Sequence, residues 1–271
     1  MPNASSLATG ARGRNSQAPP RPVTSTTWPS NDHGPRIRTV QGSVRAGGRI
    51  GSGSLGHEIR AGAGPRAVAC VGRPRGGTKV AGTSTMLALG TEAPDFALPD
   101  VTTGRTVRRS DFDDRKALLV MFICRHCPYV RHVRAGLAEL GRDYEGGDVG
   151  IVAISANDPA AYPEDAPESL AAEAREAGYR FSYLFDETQD VAKAYSAACT
   201  PDFFLFGADR TLAYRGQFDS SRPGNDVPVT GKDLRAAIDA LLADGPVPQD
   251  QRPSVGCTIK WRPGSEPGQR G

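Results

Sequence analysis

A Cys-x-x-Cys motif, Cys124-Arg125-His126-Cys127, is the part of the sequence best suited to chemistry. It directly follows the apolar run 117–123 and precedes a segment whose apolar residues recur at gaps of three and four, as on one helix face. This pattern places the motif where a buried strand ends and a helix begins. The unpaired N–H groups and the positive dipole at a helix N-terminus favour thiolate over thiol. The sequence therefore predicts a reactive dithiol at this junction.

Each residue of the motif has an expected role. Cys124 is the candidate nucleophile, with a partly exposed sulfur, and Cys127 would resolve the mixed disulfide. Arg125 and His126 add one fixed and one titratable positive charge beside the sulfur, so both should lower the pKa of the Cys124 thiol. The alternative is that both cysteines are inert core residues.

Four segments in this order resemble the peroxiredoxin-related (AhpC/TSA-like) redoxin branch of the thioredoxin superfamily. They are residues 93–96, 124–130, 199–206 and 256–261, and they span roughly two thirds of the chain. The resemblance implies an α/β thioredoxin-like fold. Its central mixed β-sheet would be flanked by helices and accompanied by an N-terminal hairpin and redoxin-type insertions.

The resemblance also implies roles for residues outside the Cys-x-x-Cys motif. Thr200-Pro201 should form a cis peptide that faces the dithiol, with its backbone presenting the partner chain. Cys199 and Cys257 match the family pattern, so each is a candidate accessory redox residue. A lone cysteine in an apolar context is more often a small core residue, and both alternatives stay open. His126 before the second cysteine resembles strongly oxidising thioredoxin-fold proteins.

The chain departs from two better-known relatives. Typical peroxiredoxins place a proline seven residues, and Thr or Ser three residues, before the reactive cysteine, where this chain has Ala117 and Met121. Peroxidase activity is therefore in doubt. Thioredoxin has Trp directly before its first cysteine and a buried Asp six residues before it, where this chain has Ile123 and Leu118. Without that acid the protein should be a poor substitute for thioredoxin.

The function that we expect is enzymatic thiol–disulfide oxidoreduction, with the redox-active disulfide as the only redox group and no cofactor. The first alternative is an antioxidant thiol peroxidase that uses Cys124. The second is a redox-inactive, zinc-stabilised binding module with ligands from Cys124, Cys127, Cys257 and His126 or Cys199. A single Cys-x-x-Cys is only half of a structural zinc site, and Pro201 offers no N–H, so we expect no metal.

Composition divides the chain into an arm and a domain. Residues 1–85 hold 12 of the 33 basic residues but only 2 of the 30 acidic ones, and few bulky apolar residues. Such a segment cannot bury enough surface to offset chain entropy, so we expect a disordered arm. It could bind an acidic partner, act as a transit peptide, or be upstream DNA read from a mis-annotated start. The redoxin domain should occupy residues 86–262 and a flexible tail residues 263–271.

The apolar stretches and the cysteine count of the sequence bear on the location and partners of the protein. The sequence has no apolar stretch near the roughly 18 residues of a membrane span, and no secretory signal is visible near its start. Five cysteines are too few for a disulfide scaffold. We therefore expect a cytoplasmic protein that binds neither nucleic acid nor membrane. Its partners should be a protein or low-molecular-weight thiol or disulfide and a reductase or thiol donor.

Strands and helices should alternate from residue 87. The apolar runs 118–123 and 149–154 predict buried strands, and 203–206 and 212–215 predict a hairpin. A helix should fill residues 167–177 and end at glycine. Thr230 should cap the last helix.

Overall fold

The structure is a computed structural model that describes residues 81–268. Its strands in chain order are β1 (Ala81–Thr83), β2 (Ala97–Pro99), β3 (Thr106–Arg108), β4 (Ala117–Phe122), β5 (Val149–Ser155), β6 (Ser182–Phe185), β7 (Cys199–Thr200), β8 (Asp202–Phe206), β9 (Leu212–Gly216) and β10 (Val255–Thr258). The helices are α1 (Pro128–Asp143), α2 (Pro167–Ala177), α3 (Asp190–Ala194) and α4 (Lys232–Leu242), with short 3-10 helices at Arg109–Phe112 and Pro163–Asp165.

Strand β4 lies at the centre of a five-stranded mixed sheet with the order β6-β5-β4-β8-β9. β5 runs parallel to β4 and to β6, whereas β8 is antiparallel to β4 and to β9. Every residue of β4 and β5 is buried, because both faces of the sheet are covered. Alternate β4 side chains enter two hydrophobic clusters, with Leu119 and Met121 in one and Leu118 and Val120 in the other. The expected thioredoxin-like α/β fold is confirmed.

The helices next to the dithiol match their sequence patterns. α1 begins at Pro128, whose fixed φ suits the first helical position, and it buries Val133 and Leu137 against the sheet. α2 spans the predicted residues, and Gly178 ends it with a left-handed φ of 69°. Within residues 81–268 no helix is both long and apolar enough to cross a membrane.

The start of α4 differs from the prediction. Gly231, with a φ of 67°, occupies the capping position, so the prediction of Thr230 as the cap is wrong. The backbone N–H groups of Thr230 and Gly231 both donate to the Asp219 carboxylate, at 2.7 and 2.6 Å. That carboxylate holds both residues outside the helix.

A second sheet of three strands has the order β1-β10-β7 and changes the expected domain boundary. β1 pairs antiparallel with β10 in the C-terminal tail, and Ser84 N–H donates to Ser254 O at 3.0 Å. Residues 81–85 therefore belong to the folded domain, and the expected boundary at residue 86 is wrong. Residues 1–80 lie outside the described part of the chain, and so do residues 269–271 of the expected tail. The N-terminal hairpin is confirmed as β2 and β3.

Candidate functional site

The dithiol lies between the end of β4 and the start of α1. Cys124 follows the strand by one residue, and Cys127 directly precedes the first residue of α1. Both cysteines are fully buried, so the expected partial exposure of the Cys124 sulfur is wrong. The two thiols interact, and each shifts the pKa of the other. A disulfide partner can therefore reach Cys124 only after local movement of the residues that cover it.

Thr200 contacts both sulfurs, and its peptide bond to Pro201 is cis, as expected. Its hydroxyl Oγ1 lies 3.2 Å from Cys124 Sγ, and its carbonyl accepts a hydrogen bond from Cys127 Sγ at 3.1 Å. The hydroxyl that the sequence lacks at Met121 is thus supplied from a distant segment. Thr200 is also paired with Cys257 of β10, which occupies the position expected for a partner chain.

Sequence inspection missed Asp165, a fully buried carboxylate beside the motif. Its Oδ1 accepts the backbone N–H groups of Arg125 and His126, at 2.9 and 3.2 Å. Its Oδ2 accepts from Asn157 Nδ2 at 2.8 Å and hydrogen-bonds to His126 Nδ1. Burial alone would raise the pKa of Asp165, but the hydrogen bonds from His126 and Asn157 lower it. The absence of an acid at Leu118 therefore does not leave the dithiol without a buried carboxylate.

Asp165 also changes the expected role of the two intervening residues. His126 Nδ1 lies 4.0 Å from Cys124 Sγ, but it also hydrogen-bonds to the Asp165 carboxylate. The negative charge of that carboxylate offsets the effect of a positive histidine on the Cys124 thiolate. The Arg125 guanidinium points to α2, where it donates to Ser169 O at 2.9 Å. The guanidinium is thus held by α2, while the backbone N–H of Arg125 donates to Asp165; that Arg125 stabilises the thiolate stays a prediction.

The pKa values of the two thiols move in opposite directions. Burial, the hydrogen bond to Cys127 and the charge of Asp165 raise the pKa of Cys124 well above its usual range, contrary to the prediction. The hydrogen bond from Cys124 lowers the pKa of Cys127 to about 5, against the effect of burial. The Cys257 thiol and the backbone N–H groups of Val130 and Cys257 lower it further. The pair therefore gives up its first proton from Cys127.

An aromatic ring covers the site. Tyr162 stacks on His126, with ring centroids 4.9 Å apart and planes 17° apart, and it is itself 37% exposed. The Lys260 ammonium lies 5.7 Å from the centroid of the Tyr162 ring. The backbone of Lys260 is tied to the loop that carries the ring, since Asp158 N–H donates to its carbonyl at 2.9 Å. Tyr162 is thus a solvent-exposed ring that lies directly against His126 of the motif.

Comparison with known proteins identifies the family. The AhpC/TSA family profile matches residues 89–215, which include the dithiol and the Thr200-Pro201 peptide. The chain belongs to the AhpC/TSA family. It is a thioredoxin-like redoxin, and this family also contains peroxidases. The match ends before β10, so Cys257 lies outside it.

Two solved structures are similar to this AhpC/TSA protein over most of their length. An uncharacterized conserved protein from Geobacillus kaustophilus is 54% identical, with a TM-score of 0.67, and the match covers 68% of this chain and 97% of that one. A hypothetical protein from Sinorhizobium meliloti is 50% identical, with a TM-score of 0.65, over 66% of this chain and 98% of that one. No curated protein matches the chain.

The two other described cysteines of this AhpC/TSA domain differ in their contacts. Cys199 Sγ lies near two carbonyl oxygens, Pro201 O at 3.7 Å and Ser254 O at 3.9 Å, and burial raises its pKa. Cys257 instead hydrogen-bonds to Cys127. Of the two accessory candidates, the structure brings Cys257 to the dithiol and leaves Cys199 among carbonyl groups.

Three potential metal ligands also meet at the site. The Cys124 sulfur, the His126 ring and the Asp165 carboxylate lie within 4.8 Å of one another. This set differs from the zinc ligands considered from sequence, because it contains Asp165 and neither Cys257 nor Cys199. The His126 and Asp165 atoms in this set already hydrogen-bond to each other, and a metal would have to replace that bond.

A second buried acid, Asp202, begins β8 next to Pro201. It is fully buried, and neither carboxylate oxygen has a hydrogen bond of good geometry. Burial raises the pKa of Asp202 to about 7, an effect that the nearby hydroxyls of Ser84 and Ser254 offset only in part. One of these hydroxyls comes from the segment that follows β1.

Proposed function

We propose that this AhpC/TSA protein is a thiol–disulfide oxidoreductase that cycles between the Cys124–Cys127 dithiol and disulfide. The observation that supports it most is the burial of both thiols at the N-terminus of α1 against one residue, Thr200, whose Oγ1 lies 3.2 Å from Cys124 Sγ and whose carbonyl lies 3.1 Å from Cys127 Sγ. Two sulfurs held against the same residue can close a disulfide without rearrangement of the backbone elsewhere. The positive end of the helix stabilises the thiolate that starts the reaction.

The reaction begins with a proton transfer inside the pair. The Cys127 thiolate takes the proton of Cys124, and Cys124 then attacks a sulfur of the partner disulfide. One partner thiol leaves as a thiolate, and the other stays bonded to Cys124. Cys127 loses its proton again and attacks the Cys124 sulfur, which closes the intramolecular disulfide and releases the second partner thiol. We assign the first attack to Cys124 because it lies in the loop before α1, next to His126, on which the exposed Tyr162 ring stacks.

The partners that fit this reaction are a protein or low-molecular-weight disulfide and a reductase or thiol donor. The dithiol carries both electrons, so the proposed reaction uses no other cofactor. We place the protein in the cytoplasm, where a Cys-x-x-Cys serves catalysis more often than a structural disulfide. Nucleic acid and membrane have no part in the proposed reaction.

A second candidate is thiol peroxidase activity, which the Thr200 hydroxyl favours. At 3.2 Å from Cys124 Sγ, it could hydrogen-bond to a peroxide held at that sulfur. Ala117 opposes this role, since typical peroxiredoxins have a proline at that place, seven residues before the reactive cysteine. We therefore rank peroxidase activity second.

Insulin-disulfide reduction and peroxide oxidation distinguish the two functions. Cys124→Ser and Cys127→Ser should each abolish insulin reduction, whereas Cys199→Ser should retain it. Stopped-flow oxidation by hydrogen peroxide should be slow in the unaltered protein. Insulin reduction that survives Cys124→Ser would refute the oxidoreductase proposal, and rapid peroxide oxidation that requires Thr200 would promote the peroxidase.

A further inference from the structure

We propose that Cys257 is a third redox cysteine, which exchanges with the Cys124–Cys127 disulfide to form a Cys127–Cys257 disulfide. The inference rests on the proposed oxidoreductase function and extends it. Cys127 would then be shared by two alternative disulfides, and the oxidised protein would present Cys124 again as a thiol.

The pairing of β10 brings Cys257 to the dithiol. Cys257 is the antiparallel partner of Thr200, and Thr200 O is the group to which Cys127 Sγ donates at 3.1 Å. Gly256 permits this close approach, because a Cβ at that position would lie 2.0 Å from Thr200 O. Cys124, Cys127 and Cys257 consequently belong to one buried cluster.

The side chain of Cys257 interacts with the Cys127 sulfur as well as lying near it. The Cys257 thiol and its backbone N–H both lower the pKa of Cys127, and Cys257 shares a buried cluster with Cys127, so the two residues are already neighbours in the reduced protein. Cys199 is the natural comparison, because it lies opposite Thr258 in the same sheet. Its sulfur faces the carbonyl oxygens of Pro201 and Ser254 instead, and it has no comparable contact with the dithiol.

The exchange is balanced within the protein. The Cys257 thiol gives up its proton, and its sulfur attacks Cys127 Sγ to form the Cys127–Cys257 bond. The bond between Cys127 and Cys124 breaks, and Cys124 leaves with the electron pair as a thiolate, which takes up a proton. One disulfide replaces another, so no oxidant or reductant is consumed.

A variant that removes the first disulfide isolates the second one. Full-length Cys124→Ser protein, reduced and then treated with diamide, should form a Cys127–Cys257 disulfide that peptide mass spectrometry detects after alkylation of the remaining thiols. The matched double variant Cys124→Ser/Cys199→Ser should form the same disulfide, and Cys124→Ser/Cys257→Ser should lose it. Formation of only intermolecular disulfides, or of Cys127–Cys199, would overturn the proposal.

Turnover measurements separate this inference from the proposed function. Cys257→Ser should lower steady-state insulin reduction several-fold while single-turnover attack by Cys124 keeps its rate, and Cys199→Ser should change neither. Identical kinetics in Cys257→Ser and Cys199→Ser would overturn the exchange while leaving the oxidoreductase intact. If the unaltered protein forms no Cys124–Cys127 disulfide, the proposed function is wrong. The disulfide found by mass spectrometry in Cys124→Ser protein then still decides whether Cys257 reacts with Cys127.

Discussion

Replacing Asp202 by Asn should stabilise the protein at neutral and alkaline pH. The carboxylate is fully buried without a well-formed hydrogen bond, and its pKa is raised from 3.8 to about 7. Below about pH 3 the group is protonated in the folded and unfolded states, and it imposes no cost. As the pH rises from about 4 to about 7, Asp202 ionises in the unfolded chain while the folded protein keeps the proton. The free energy of unfolding therefore falls over this pH range.

The size of the effect follows from the pKa difference. Each unit corresponds to about 1.4 kcal/mol, and the rise of about three units corresponds to about 4 kcal/mol of stability lost by pH 8. Asn keeps the size of the side chain but cannot ionise. Asp202→Asn should therefore match the unaltered protein near pH 3 and exceed its unfolding free energy by about 1 kcal/mol at pH 4.5 and up to about 4 kcal/mol at pH 8.

Urea unfolding in a phosphine reductant, at several pH values between 3 and 8, measures this difference. The matched control is Asp250→Asn, since the Asp250 side chain is 89% exposed and should give no pH-dependent difference. Other titrating groups cancel, because they are common to the proteins compared. If Asp202→Asn and the unaltered protein lose stability in parallel over this pH range, the reasoning about Asp202 is refuted.

Three further changes test other parts of the structure. Asp165→Asn removes a negative charge beside Cys124, so the absorbance at 240 nm of the Cys124 thiolate should appear at lower pH. The loss of charged hydrogen bonds should lower the free energy of unfolding in urea by about 2 kcal/mol. An unchanged titration of Cys124 would contradict this role of Asp165. Tyr162→Ala should speed alkylation of Cys124 by iodoacetamide. Tyr144→Ala should leave the rate unchanged, because Tyr144 lies at the opposite end of α1 from the dithiol. Equal rates in all three proteins would show that Tyr162 does not limit access. A protein beginning at residue 81 should have the same melting temperature as the full chain. A protein beginning at residue 86 lacks β1, and a loss of about 2 kcal/mol of unfolding free energy would lower its melting temperature by about 4–8 °C. Equal melting temperatures of all three proteins would show that β1 adds no stability.

The sequence was most informative where a structure is set by local pattern. The continuous apolar run at β4, the spacing along α1 and the glycine after α2 each predict an element close to its observed bounds, because burial and chain geometry act over neighbouring residues. The same holds for the position of Cys124 and Cys127, which follows directly from the junction of a strand and a helix.

The surroundings of the dithiol depend on contacts between distant segments, and the sequence does not reveal them. Asp165 lies 38 or more residues after the motif, in a short 3-10 helix whose sequence resembles any polar turn. The one available signal was Asn157, a polar residue just past the end of buried β5, where parallel strands often deliver functional side chains. The direction of the Arg125 side chain could not be predicted either, because α2 supplies its partners.

The position of β1 has a consequence for how the protein meets other chains. β1 is the outer strand of its sheet, three residues long, and it covers the side of β10 that faces away from β7. An uncovered strand edge presents unpaired N–H and C=O groups that recruit strands from other molecules. Without β1, that edge would lie open one strand away from Thr200 and directly at Cys257. The short segment before Met86 thus covers the edge of the strand that carries Cys257, and its loss would expose an edge on which a strand of a second copy can pair.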